Sequence, residues 1–358
     1  MIKIPNWKRI SLDKLEFPEV ADYTKEYINL DKQLPTGVEL NRITDKEKKS
    51  FTDYLNKDNI HGVGKAFVSF VDKSYNSGIS LYLPEDSKID EPIRLDFKMN
   101  KENPNLIDQN IIVAESNSEV TLIFDYSTED NIKAFHNGIT RVYAKENSVI
   151  NIVKVQRLND ISNSFDSNVA FVEGHGEVNW ISVELGSSIS GASYTTYLND
   201  DASESNLESI YLGDGNRNMD LEYTVILKGR HSIGNIETHG VLMDQSKKVF
   251  RGNLDFKRGA KSSKGSEEEF TILMDSTVVS HSIPALLCDE DNVEGHHAAS
   301  AGQIDDNQLF YLMSRGLSER ESKKLIVEAS FSPIIDQIPS KELRDIINNE
   351  VDRRLMNA

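Results

Sequence analysis

The feature that most constrains this chain is an internal repeat. Four segments, Ser118-Glu-Val-Thr-Leu-Ile123, Asn147-Ser-Val-Ile-Asn-Ile152, Gly176-Glu-Val-Asn-Trp-Ile181 and Ser205-Asn-Leu-Glu-Ser-Ile210, put a polar turn ahead of apolar residues at fixed offsets. Val120, Val149, Val178 and Leu207 stand 29 residues apart, as do Ile123, Ile152, Ile181 and Ile210. A fifth copy, Gly234-Asn-Ile236, has His239 where the next isoleucine is expected. A period of this size means stacked units that bury their apolar faces on one another. The units are rich in Val, Ile, Tyr and Thr, broken by Gly, Asn, Asp and Ser, and hold no amphipathic helix, so helical arrays fit badly. They are also short of the roughly 40 residues of a four-stranded propeller blade. One coil of a parallel β-helix fits, right-handed as parallel crossovers are. The competing reading is a chance alignment within a β-sandwich, which has to explain four consecutive matches at two positions. The register predicts that Ile123, Ile152, Ile181 and Ile210 form one column inside the solenoid, with His239 lining the same interior.

The fold expected is therefore mainly β, a right-handed parallel β-helix with helical N- and C-terminal regions. Residues 1–60 read as mostly helical, with a capped start at Thr44 and an apolar face of Phe51, Tyr54 and Leu55. Residues 61–304 form the β-helix core. Residues 305–358 return to helix: Asp305 caps the first, Ser318-Glu-Arg-Glu321 is a capping box for the second, which Pro333 stops, and Ser340 caps a third with an apolar stripe of Leu343, Ile346, Ile347, Val351 and Leu355. Such helices either cap the open end of a solenoid or form a docking surface.

The formal net charge of −18 makes nucleic acid and anionic membranes poor partners. Lys247, Lys248 and Arg251 are the densest small basic group. A single cysteine, Cys288, excludes an intramolecular disulfide. With no apolar leader at Met1–Arg9 and no apolar run of about 18 residues, the cytosol is the expected location.

Chemistry-bearing motifs are few. Gly62-Val-Gly-Lys65 lacks the spacing of a phosphate-binding loop, and there is no Gly-x-Ser-x-Gly or His-Glu-x-x-His. The densest group of soft and borderline ligands is Cys288-Asp-Glu-Asp-Asn-Val-Glu-Gly-His296-His297, which suits iron or zinc as a half-site. Against that, Cys288 follows Ile283-Pro-Ala-Leu-Leu287 and reads equally as a small core residue. His136, His175, His231 and His239 read as hydrogen-bonded structural imidazoles, and Glu267-Glu-Glu269 as a solvated face.

The run Asp291-Asn-Val-Glu-Gly-His-His-Ala-Ala-Ser-Ala-Gly-Gln-Ile-Asp305, continuing into Gln308-Leu-Phe-Tyr-Leu-Met-Ser-Arg315, closely resembles the SufB/SufD family of iron–sulfur assembly proteins. Gly252-Asn-Leu-Asp-Phe-Lys-Arg-Gly-Ala-Lys-Ser262 and Glu328-Ala-Ser-Phe-Ser-Pro333 are similar in style. The resemblance implies a β-helix with helical ends, a SufB-like paralogue as partner, a SufC-type ATPase, and a homodimer for the chain in isolation. It implies that the C-terminal helical region docks the ATPase, with Tyr311, Arg315 and Leu325 as candidate contacts, and that two β-helices pair through their last strands. The family's functional histidine falls on His297. Gly295 stands where some SufD members carry cysteine, Cys288 lies too early to take that role, and His296 is an additional imidazole. Iron or an iron–sulfur cluster would then be handled at the junction, with thiolate from the partner. The poor thiol supply makes the chain SufD-like, a non-catalytic subunit. The alternatives are a carbohydrate-active β-helix enzyme, which needs an acid–base groove, and a solenoid that only binds protein.

Overall fold

Each repeat supplies two strands, one to each of two facing sheets, as a computed structural model describing residues 7, 9–13, 15–28, 34–43, 54 and 60–357 shows. The first sheet runs β2 (Ile79–Leu83), β4 (Asn105–Ala114), β6 (Phe135–Ala144), β8 (Asn163–Val172), β10 (Ile189–Leu198), β12 (Asn218–Leu227) and β14 (Lys247–Phe256). The short strands β16 (Val279–Ser282) and β17 (Ala285–Cys288) share its last place. The second sheet runs β3 (Ile93–Met99), β5 (Glu119–Thr128), β7 (Val149–Arg157), β9 (Glu177–Glu184), β11 (Glu204–Gly213), β13 (Ile233–Leu242), β15 (Lys264–Leu273) and β18 (Glu294–Gly302). All neighbours along the stack are parallel, giving a β-solenoid of about 8 turns.

The coils turn at one recurring backbone position. Asn117, Asn147, His175, Ala202, His231 and Ser262 all adopt left-handed geometry, with φ of 58, 56, 55, 55, 58 and 62°. Asn tolerates this conformation through its short polar side chain. The serine that follows in four of these turns, Ser118, Ser148, Ser203 or Ser232, bonds back to the carbonyl three residues earlier, at 2.5, 2.7, 2.7 and 3.2 Å.

The coils are not of equal length. Along the outside of the second sheet, Asn151 donates to Thr121, Asn179 to Asn151, Asn206 to Asn179, Asn235 to Asn206 and Ser266 to Asn235, across separations of 30, 28, 27, 29 and 31 residues. The fixed 29-residue register is therefore an average, and the isoleucine column does not exist. Ile152 pairs with Leu122 and points inward, Ile123 and Ile181 share a column on the outer face, and Ile210 pairs with Val183 in a third. A slip of one residue moves a strand side chain to the opposite face. The inward column is Leu122, Ile152, Trp180, Leu207 and Ile236. For the same reason His239, paired with Ile210, lies outside the solenoid, bonded to Ser330 Oγ at 3.0 Å and Glu237 at 2.9 Å.

Both outer faces are covered. Helix α1 (Lys65–Ser74) and the segment from Trp7 to Val20 pack Trp7, Leu12, Phe67 and Val71 on Ile107, Ile139 and Phe165 of the first sheet. The helix expected from Thr44 to Leu55 lies outside the described residues, Tyr54 excepted. Residues before β2 otherwise hold β1 (Glu39–Arg42), antiparallel to β2. At that end Ile28 also bridges to Leu95 of β3, so both edges of the first coil are occupied.

The C-terminal helices are α2 (Asp306–Ser314), α3 (Glu319–Ile335) and α4 (Lys341–Asn357). They do not close the solenoid's end. Val327, Phe331, Ile334, Leu343, Ile347, Val351 and Leu355 of α3 and α4 lie against Ile123, Val153, Val183, Ile210 and Val241 on the outer face of the second sheet. Asp305 caps α2 through the Asn307 and Gln308 amides at 2.8 and 3.0 Å, and the Ser318–Glu321 capping box opens α3. Pro333 lies inside α3 and does not stop it. A proline costs the helix one amide donor, and packing of Ile334 and Ile335 outweighs that loss here.

Candidate functional site

The solenoid interior is not wholly apolar. Gly138 on β6 lacks a side chain where a β-carbon would come within 2.8 Å of Asp108 and 2.9 Å of Asp166. Asp108 and His136 fit beside that space, and Ser164 on the next strand meets the far side of the imidazole. His136 Nε2 lies 2.8 Å from Asp108 Oδ1 and its Nδ1 2.8 Å from Ser164 Oγ. All three are buried, so the arrangement is a structural network rather than a nucleophile with its base. Burial would push Asp108 up, but the hydrogen bond and charge of His136 and the charge of Lys154 hold it below its ordinary value. Lys154 binds Asp166 at 2.8 Å and Thr140 Oγ1 at 2.8 Å. Glu184 accepts from Gln156 at 3.1 Å, and burial, then the charge of Asp166, raise its pKa to about 8.

A second polar group lies toward the C-terminal end. Tyr211 reaches Glu269 Oε1 at 3.0 Å and Thr271 Oγ1 at 2.7 Å, and Lys248 binds Glu269 and Ser282 Oγ. Desolvation lowers the Lys248 pKa, with Glu269 opposing it. The sequence reading of two features fails here. Lys248 is buried and Arg251 is paired with Asp220, so no basic patch forms at 247–251. Glu267 and Glu269 are buried rather than solvated, because alternation along β15 turns them both inward. Burial, then the charge of Glu269, push Glu267 up to about 7.

The solenoid ends at β18, whose residues are exposed or half-buried throughout. His297 pairs with Glu267 and so shares its inward direction, whereas His296 pairs with Ser266 and continues the outer asparagine ladder. Successive strand side chains leave opposite faces, so the two histidines do not converge. Cys288 is exposed rather than a core residue; it closes β17, beside its register partner Phe256 on β14 of the first sheet. Among the described residues no group of three or more His, Cys, Asp and Glu is placed to hold a metal ion. His175 and His231 serve as left-handed turn residues.

On the helical tail, Tyr311 and Arg315 come together, with a 3.1 Å hydrogen bond and the guanidinium 5.1 Å from the ring centroid. Leu325 stands on α3, exposed. Phe310, 73% exposed, and Met313 extend the apolar surface of α2, a helix with no buried residue. Sequence reasoning missed Phe310, although its place beside Tyr311 in an apolar run was available. Among the described residues no helix is long and apolar enough to cross a membrane.

A family described as SUF system FeS cluster assembly, SufBD core domain, matches residues 97–330. The iron–sulfur cluster assembly protein SufD of Bacillus subtilis is 26% identical over 282 residues, covering 78% of this chain and 64% of that protein's length. SufBD family proteins of Staphylococcus epidermidis and Staphylococcus saprophyticus are 23% and 24% identical, each covering 98% of this chain and 79% of theirs. From residue 97 to residue 330, that is from β3 into α3, the chain belongs to the SufBD core family of iron–sulfur cluster assembly proteins.

Proposed function

We propose that the chain is a SufD-like, non-catalytic scaffold subunit of a cytosolic iron–sulfur cluster assembly complex. It pairs with a SufB-like paralogue through the open end at β18 and docks a SufC-type ATPase on its helical tail. In isolation the same end serves a homodimer. His297 takes part in handling iron or a cluster at the junction, with thiolate from the partner, while His296 and Cys288 stand apart from it.

The observation that carries this reading is the exposure of β18, with His297 turned inward on it, while both lateral faces of the solenoid are covered. The exposed Phe310, Tyr311 and Met313 on α2 support the docking role. A carbohydrate-active enzyme finds less support: the groove beside the asparagine ladder holds one carboxylate, Glu208, bonded to Gln337, and in the larger groove holding Asp130, Asp160 and Glu350 the last two are paired with arginines.

The test is co-purification with a SufB-type paralogue and a SufC-type ATPase. His297→Ala should leave the complex assembled and lower its iron content after anaerobic reconstitution; loading equal to the parent's refutes the metal role. Phe310→Asp should release the ATPase while the paralogue stays bound. Removing residues 306–358 outright is a poor test, because α3 and α4 cover apolar sheet surface.

A further inference from the structure

The inward column of the second sheet changes character at its open end. Leu122, Ile152, Trp180, Leu207 and Ile236 occupy successive coils and are all buried. The next two places hold Glu267 and His297. Glu267 is 1% exposed, and among the described residues neither of its carboxylate oxygens has a hydrogen-bond partner.

The site is made to receive that carboxylate. A β-carbon on Gly252, across the interior on β14, would fall 2.5 Å from both Cδ and Oε1 of Glu267. Lys248 gives its hydrogen bonds to Glu269 and Ser282 and reaches Glu267 only through its charge. Ser280, inward on β16 beside Lys248, also keeps its hydroxyl unbonded. A buried carboxylate without donors is costly unless something neutralises it. Its column neighbour is His297 on the adjacent strand, the two strands being about 4.8 Å apart along the stack.

We propose that Glu267 and His297 together hold one divalent first-row transition-metal ion at the open end of the solenoid, ferrous iron in the working complex. The carboxylate oxygen and the imidazole nitrogen are the chain's two donors, and the remaining positions are left for water and the partner's ligands. Mixed oxygen and nitrogen donors with open positions suit such a cation. This rests on the reading of His297 given above and adds a ligand to it.

Anaerobic titration of the full chain with Co²⁺, followed by its visible absorption, tests the assignment. The parent should take up one equivalent. Glu267→Gln, and Glu267→Ile, which continues the column of Ile236, should each weaken uptake at least about tenfold, as should His297→Ala. Unchanged melting curves check that the variants are folded. Co²⁺ affinity at the parent's level in either folded Glu267 variant overturns the assignment, as does absence of saturable uptake by the parent. If His297→Ala lowers iron in the assembled complex while the Glu267 variants bind Co²⁺ normally, the junction role of His297 stands and the Glu267 ligand falls.

Discussion

The ring of Tyr211 lies over the bare backbone of Gly240, its register partner one coil further on. A β-carbon on Gly240 would come within 1.9 Å of Tyr211 Cζ. That clearance lets the phenol cross to Glu269 and Thr271 in the following coil. Gly240→Ala is therefore expected to cost at least about 1–3 kcal/mol by overpacking. In denaturant titrations, Tyr211→Ala combined with Gly240→Ala should cost less than the sum of the single changes, because the two share one space. Strict additivity would contradict the packing.

The helical tail divides into a part that belongs to the core and a part that does not. Phe331 on α3 is buried against the second sheet, and Phe310 on α2 is exposed. Phe331→Ala should destabilise by about 3–5 kcal/mol. Phe310→Ala should stay within about 0.5 kcal/mol. Chemical denaturation of the isolated chain separates the two.

Glu184 gives the fold a pH dependence. Its pKa of about 8 in the fold lies above the ordinary value near 4.3, so the folded state holds this proton more tightly. The contribution is present in full below the ordinary carboxylate range and is lost as pH rises through about 8. Thermal melts should show the parent losing more stability between pH 6 and pH 9 than Glu184→Gln, which has no charge to bury. Parallel curves for the two would contradict this origin.

Lys248 and Glu269 are a buried ion pair with further hydrogen bonds. Lys248→Met leaves Glu269 charged and buried, and should cost about 3–5 kcal/mol. Adding Glu269→Leu should recover part of that loss. A double variant less stable than Lys248→Met would show that Glu269 keeps enough support from Tyr211 and Thr271.

The solenoid was legible in the sequence because each coil restates a polar turn and an apolar strand. The column of isoleucines was not, because coils of 27 to 31 residues share an average close to 29. The usual check, alternation of apolar and polar residues, is lost on the second sheet. Its outer positions Val153, Val183 and Ile210 are apolar too, since α3 and α4 cover them. His297 was singled out by the motif around it, and what the structure adds is its inward register on β18. Glu267 was hidden in a triple-glutamate run whose members face two ways, and only the position of Gly252 across the interior explains where its carboxylate goes.

The two ends of the stack are unequal, and that limits how copies can add to one another. Strand β1 and the Ile28 bridge occupy edges of the first coil, while among the described residues no strand pairs with the outer edge of β18. An exposed strand edge is ordinarily an invitation to unlimited growth into fibres. Here a molecule that joined another through β18 would turn outward an end of different make, the short antiparallel β1 and the Ile28 bridge, so the parallel contact at β18 could not simply be repeated.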